Sequence, residues 1–147
     1  MRTYIIYLIE NEFARHYYGR EYMFFNLFRD FEQSEGTQKI ILRKQINFVT
    51  KKIHAQLFTS FMDQQLKDNK DCYMENGVYY IRKRKNNQSE ASLAFRNHSL
   101  ILHADGTYEC ETIFFEWLRQ WNPYFLALDT TKDRCAWLRP IKQRLYV

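Results

Sequence analysis

Hydrophobic residues are arranged along this chain in distinct patterns, and each predicts a different element. Thr3 to Ile9 (TYIIYLI) is a continuous run with β-branched and aromatic members. Such a run predicts a strand buried on both faces. From Arg20 to about Glu32, Phe24, Leu27, Phe28 and Phe31 recur at helical spacing and predict a helix with one core stripe. A shorter helix is expected before it, capped by Asn11 and running to about Tyr18. Gly19 would end it, since glycine tolerates the left-handed backbone found there. Ser34 to Thr37 reads as a loop.

Gln38 to Thr50 supports two readings. Ile46, Val49 and Ile53 favour a helix, whereas Ile40-Ile41-Leu42 suits an extended start. Ile53, Leu57, Phe61 and Leu66 then mark a helix to about Asp68, followed by a polar break through Asp71. Beyond it the pattern turns β-like. Asn76-Gly77 is a hairpin signal joining Cys72–Glu75 to Val78–Lys83. Glu90–Arg96 and Ser99–Ala104 form a second expected hairpin, turning at Asn97-His98, with a further turn at Asp105-Gly106. Glu111 to Gln120 carries Ile113 or Phe114, Trp117, Leu118 and Trp121 on one side of a helix that Pro123 ends. Tyr124–Leu128 and Cys135–Leu138 read as closing strands. The fold class is α+β: one domain over residues 1–147, with a largely antiparallel sheet and helices mainly in the N-terminal half.

Composition narrows the class. At 147 residues the chain matches the commonest size of one domain. The first apolar run meets Glu10 and Glu12, too early for a signal peptide, and no run reaches the roughly 18 apolar residues of a membrane span. Three widely spaced cysteines suit a reducing cytoplasm better than a disulfide framework. A net charge of +5 permits acidic partners without demanding them. Aromatic residues make up 18% of the chain. Any that the core cannot hold would signal an interface.

Candidate chemistry is sparse. His98, His103, Asp105, Glu109 and Cys110 are the nearest approach to a metal cluster. On one strand, however, His98 and His103 would face opposite sides, and no ligand spacing supports a metal site. Acidic neighbours would raise the Cys110 thiol pKa, the reverse of what a nucleophile needs. No serine elbow and no glycine-rich phosphate loop occurs, so neither an enzyme nor a cofactor is expected. Arg82-Lys83-Arg84-Lys85 is the strongest basic run. It reads either as a phosphate-contacting edge or as a solvated strand end that resists edge pairing.

Phe13 and Tyr17 lie four apart and share a helix face; Ala14 and Tyr18 form a second pair one position round. So short a helix cannot hide both pairs. One pair is expected inward and the other outward, where an exposed Phe/Tyr pair would anchor a partner.

Two blocks carry a family resemblance. One comprises Tyr7-Leu8-Ile9, Glu12-Phe13-Ala14 and His16 to Glu21. The other is Glu109 to Val147 (ECETIFFEWLRQWNPYFLALDTTKDRCAWLRPIKQRLYV). Together they resemble the SirA family, the sporulation inhibitors of replication of Bacillus-type bacteria. The resemblance implies a non-enzymatic, cofactor-free cytoplasmic regulator. It would bind domain I of the replication initiator DnaA through an apolar helical surface. The family's binding Phe and Tyr fall on Phe13 and Tyr17, which would make these the outward pair and Ala14 and Tyr18 the inward one, and a Gln at the same surface matches Gln45. A C-terminal Pro matches Pro140, which would shape the surface. The Arg82–Lys85 run is no part of the family pattern, so direct contact with nucleic acid is not required.

Overall fold

The computed structural model describes residues 1–84, 88–96, 98–129 and 132–139. In chain order its elements are β1 (Arg2–Leu8), α1 (Asn11–His16), α2 (Glu21–Gln33), α3 (Gly36–Val49), α4 (Ala55–Lys67), β2 (Cys72–Glu75), β3 (Val78–Lys83), β4 (Ser89–Arg96), β5 (Ser99–Gly106), α5 (Glu109–Trp121), β6 (Phe125–Asp129) and β7 (Arg134–Trp137). The strands form one 7-stranded antiparallel sheet in the order β2-β3-β4-β5-β1-β6-β7. The α+β class and the N-terminal bias of the helices are as expected.

β1 sits inside the sheet, between β5 and β6, with Ile5 opposite both Ile101 and Leu128. Its continuous apolar run is explained by a helical layer on each face. Tyr4, Ile6 and Leu8 point to one side, where α4 and α5 pack through Phe58, Met62, Phe114 and Leu118. Ile5, Tyr7 and Ile9 point to the other, against Ala14 of α1, Phe24 and Phe28 of α2, and Leu42 and Ile46 of α3. Tyr7 stacks on Phe28 with ring centroids 4.0 Å apart.

Several local expectations need correction. The ambiguous segment is helical throughout as α3. Leu42, Ile46 and Val49 supply its inward stripe, while Ile40 and Ile41, which had suggested a strand, face solvent. Asn11 is the first helical residue of α1, not its cap; Glu10 precedes it without a side-chain capping bond. In α4, Phe58 and Met62 are buried and Leu57 faces solvent, so the core stripe lies one position round from the expected one. Asp105 and Gly106 continue β5 instead of turning, with Gly106 opposite Ser89. Glycine is required there because φ is +80° and a Cβ would lie 2.1 Å from the Gln88 carbonyl oxygen. The Asn76-Gly77 hairpin forms as expected, with both residues at positive φ. Asn97, Lys85 and Pro140 lie outside the described residues.

Candidate functional site

The surface of interest begins where β1 ends. Three backbone hydrogen bonds fasten this point to neighbouring elements. Ile9 N–H donates to the Tyr124 carbonyl at 3.0 Å, Glu10 N–H to Val49 at 2.9 Å, and Lys51 N–H to Leu8 at 2.6 Å. Ile9 also bridges Thr50. The C-terminus of α3 is thereby held against the start of α1. Thr50 reinforces that end by donating its hydroxyl to the Ile46 carbonyl at 2.7 Å.

α1 is only six residues long and ends at His16, earlier than expected. Tyr17 lies just beyond it, yet its N–H still donates to the Phe13 carbonyl at 3.0 Å. Phe13 and Tyr17 therefore keep helical spacing, and their rings are nearly parallel with centroids 6.4 Å apart. The inward and outward split differs from the expected pairs. Ala14 is fully buried, but Tyr18 is only half-buried, like Phe13 and Tyr17. Tyr17 meets Phe24 edge-on at 5.6 Å, so its inner side rests on the core. Sequence spacing fixed the turn these residues share, but not how deep each ring sits.

α2 forms the next wall. Glu21 anchors its N-terminus by accepting the Trp137 indole N–H at 3.0 Å. Phe24 faces the core, and Met23 and Leu27 turn toward the gap between α2 and α3. α3 supplies the opposite wall with Gln45, Phe48 and Val49, and Lys44 stands at its edge. The result is one groove of about 520 Å³, lined from α1, α2, α3 and the residues just after α1. Phe13, Tyr17 and Gln45 all line it. Phe48 meets Phe13 edge-on at 5.3 Å yet is 71% exposed. An exposed phenylalanine beside further apolar side chains is the composition of a docking patch rather than of a finished core.

Phe48 is the main residue that sequence reading missed. It lies one turn beyond Gln45, outside the Leu42–Ile46–Val49 stripe. That displacement is a signal only once α3 is known to be a helix, which Ile40 and Ile41 obscured.

A family match described as sporulation inhibitor of replication protein SirA covers residues 2–142. The chain belongs to the SirA family. It is 39% identical over 150 residues to the sporulation inhibitor of replication protein SirA of Bacillus subtilis (strain 168), covering 99% of each chain. The SirA match includes every element that lines the groove.

Other candidate features of this SirA-family chain are spread among structural roles. His103 shares a hydrogen bond of 3.1 Å with the Thr3 hydroxyl. Asp105 pairs with the N-terminal amine at 3.4 Å, and Glu109 with Lys83 at 3.0 Å. Cys110 is buried with its thiol toward the Ser89 carbonyl at 3.2 Å. Burial, more than the neighbouring Glu109, pushes that thiol's pKa up. Among the described residues, no three His, Cys, Asp or Glu side chains gather as metal ligands. In the basic run, Arg82 pairs with Glu90 at 3.1 Å and Lys83 with Glu109, which leaves less charge for phosphates. Among the described residues, no helix is long and apolar enough to cross a membrane.

Proposed function

We propose that this chain restrains chromosome replication during sporulation by binding domain I of the initiator DnaA through the groove between α1, α2 and α3. Phe13 and Tyr17 are the apolar anchors. Gln45 contributes a polar contact at the edge, and Phe48 extends the apolar surface beside it. The protein acts stoichiometrically in the cytoplasm, without catalysis and without a cofactor. Occupying that face of domain I would either displace other regulators or hinder initiator assembly.

One observation carries this reading. The three residues singled out by family resemblance come from separate parts of the chain, yet they line one open apolar groove. Two of them are half-buried aromatics whose inner sides rest on the core. Such rings are held in place before a partner arrives, which lowers the ordering cost of binding.

The test pairs binding with stability. Truncating an anchor of this kind commonly costs about 2 kcal/mol or more, roughly thirtyfold in affinity. Phe13→Ala should weaken binding to isolated DnaA domain I by at least that factor while thermal unfolding remains cooperative. Unchanged affinity, or binding lost only together with the fold, would sink the proposal.

A further inference from the structure

A second cavity lies on the opposite flank of α3. It measures about 220 Å³ and is lined by Lys39 and Arg43 of α3, Arg96 at the end of β4, His98, Tyr7 and Ser99. Helical spacing sets the two sites apart: Lys39 and Arg43 share one edge of α3, and Gln45 and Phe48 the other.

The charge here is unbalanced. Arg96 is held by Glu32 through two hydrogen bonds of 2.8 and 2.9 Å. Lys39 and Arg43 have no carboxylate partner among the described residues. Instead both lie over the ring of Phe31, at 4.8 and 4.9 Å from its centre. Like charges one helical turn apart repel, so an anion between them would relieve that repulsion. The surroundings are also preset. Phe31 is buried, Tyr7 is buried and stacked, and the Ser99 hydroxyl is fixed by donating to the Arg96 carbonyl at 2.8 Å.

We propose that this cavity binds the phosphoryl group of a small phosphorylated solute, seated between Lys39 and Arg43, while Arg96, already committed to Glu32, lines the same cavity. A guanidinium fork offers paired donors to a tetrahedral oxyanion, and the lysine adds a point charge. Size decides the class of ligand. Sites for drug-sized ligands usually run from about 300 to 1,000 Å³, so a cavity of about 220 Å³ suits a phosphate or diphosphate better than a whole nucleotide. The assignment does not depend on the function proposed for the groove.

The experiment is thermal unfolding of the full chain titrated with sodium pyrophosphate, with adenosine diphosphate and adenosine in parallel. A ligand that binds only the folded state raises the melting temperature in a saturable way. Pyrophosphate and the nucleotide should both do so. Adenosine, and sodium chloride at matched ionic strength, should not. Lys39→Gln/Arg43→Gln should retain its fold by circular dichroism and lose the saturable rise, whereas Arg82→Gln/Arg84→Gln should keep it. If the double variant unfolds, Lys39→Gln alone should bind pyrophosphate about tenfold more weakly. No saturable rise with pyrophosphate would overturn the proposal. So would an equal rise in a folded double variant or in chloride, or a response to the nucleotide but not to pyrophosphate.

Discussion

The two faces of the sheet are built from alternate residues of the same strands, yet they end differently. On the α4–α5 side, Phe58, Met62, Phe114, Leu118 and Phe125 reach full burial together. On the α1–α3 side, Phe28 and Ile9 do so, while Phe13 and Tyr17 stop half-way and Phe48 projects into solvent. The contrast centres on α1, which has 6 residues and cannot cover the aromatics it carries; α2 and α3, with 13 and 14 residues, are as long as α4 and α5, and Phe48 projects because it lies off the Leu42–Ile46–Val49 stripe. Both faces stabilise the fold and both leave some apolar surface to solvent: Leu57 and Phe95 on the α4–α5 side, and on the α1–α3 side the exposed Phe48, which lines the groove with Phe13 and Tyr17.

Substitution should separate these roles. The largest effect is expected at Phe114, which is fully buried on the closed face. Phe114→Ala should lose about 3–5 kcal/mol in urea unfolding, while its folded fraction keeps the groove intact. Phe13→Ala should lose less than half of that, because part of the ring already meets water. Equal losses would erase the contrast between the faces.

Next comes the ion pair beside the closed face. Arg2 Nε donates to Glu111 at 2.8 Å, and Glu111 is 1% exposed. Arg2→Met would leave that carboxylate buried without its partner, at a cost of about 3 kcal/mol near neutral pH. Arg2→Met/Glu111→Leu should recover most of the loss. Unfolding curves for the single and double variants check both points.

Titration compares the faces at their margins. Burial is the main cause that pushes the Cys72 thiol, packed against the α4–α5 core, from 9.0 to about 11. It likewise pushes the Cys135 thiol, packed on the other side, from 9.0 to about 11. The folded protein thus keeps both thiols protonated after the unfolded chain has begun to release their protons. Their contribution to stability is full below about pH 9 and declines as the pH rises toward 11. Burial also raises the Tyr4 and Tyr7 phenols, which adds to the decline. Urea midpoints at pH 8 and pH 10.5 under reducing conditions should show the drop. Cys72→Ala and Cys135→Ala should each make the curve shallower.

The smallest effect belongs to neither face. Arg82→Gln/Arg84→Gln should change stability by no more than about 0.5 kcal/mol and leave domain I binding unaltered. A replication phenotype lost through these changes would favour contact with nucleic acid.

Much of the closed face was legible from sequence because its signals are local, although the stripe of α4 lies one position round from the one Leu57 and Phe61 suggested. The doubly buried β1, the Asn76-Gly77 hairpin and the Phe114–Trp117–Leu118 stripe each fit within one short window. The open face was only partly legible. Phe13, Tyr17 and Gln45 came through resemblance, but their meeting depends on hydrogen bonds that tie the end of α3 to the end of β1, about 40 residues away. Phe48 was missed for the same reason. Its neighbours Ile40 and Ile41 face solvent, which blurred the helical period of α3. Gly106 resembled a turn residue because close approach by the Gln88 carbonyl leaves no trace in its own neighbourhood.

Phe48 now offers the most direct test, because it is 71% exposed and its loss should leave the fold nearly untouched. The measurement is calorimetric titration of Phe48→Ala against isolated DnaA domain I, beside the unaltered chain. If the groove is the docking surface, affinity should fall by about thirtyfold with the melting temperature nearly unchanged. Full affinity in a folded Phe48→Ala variant would contradict it.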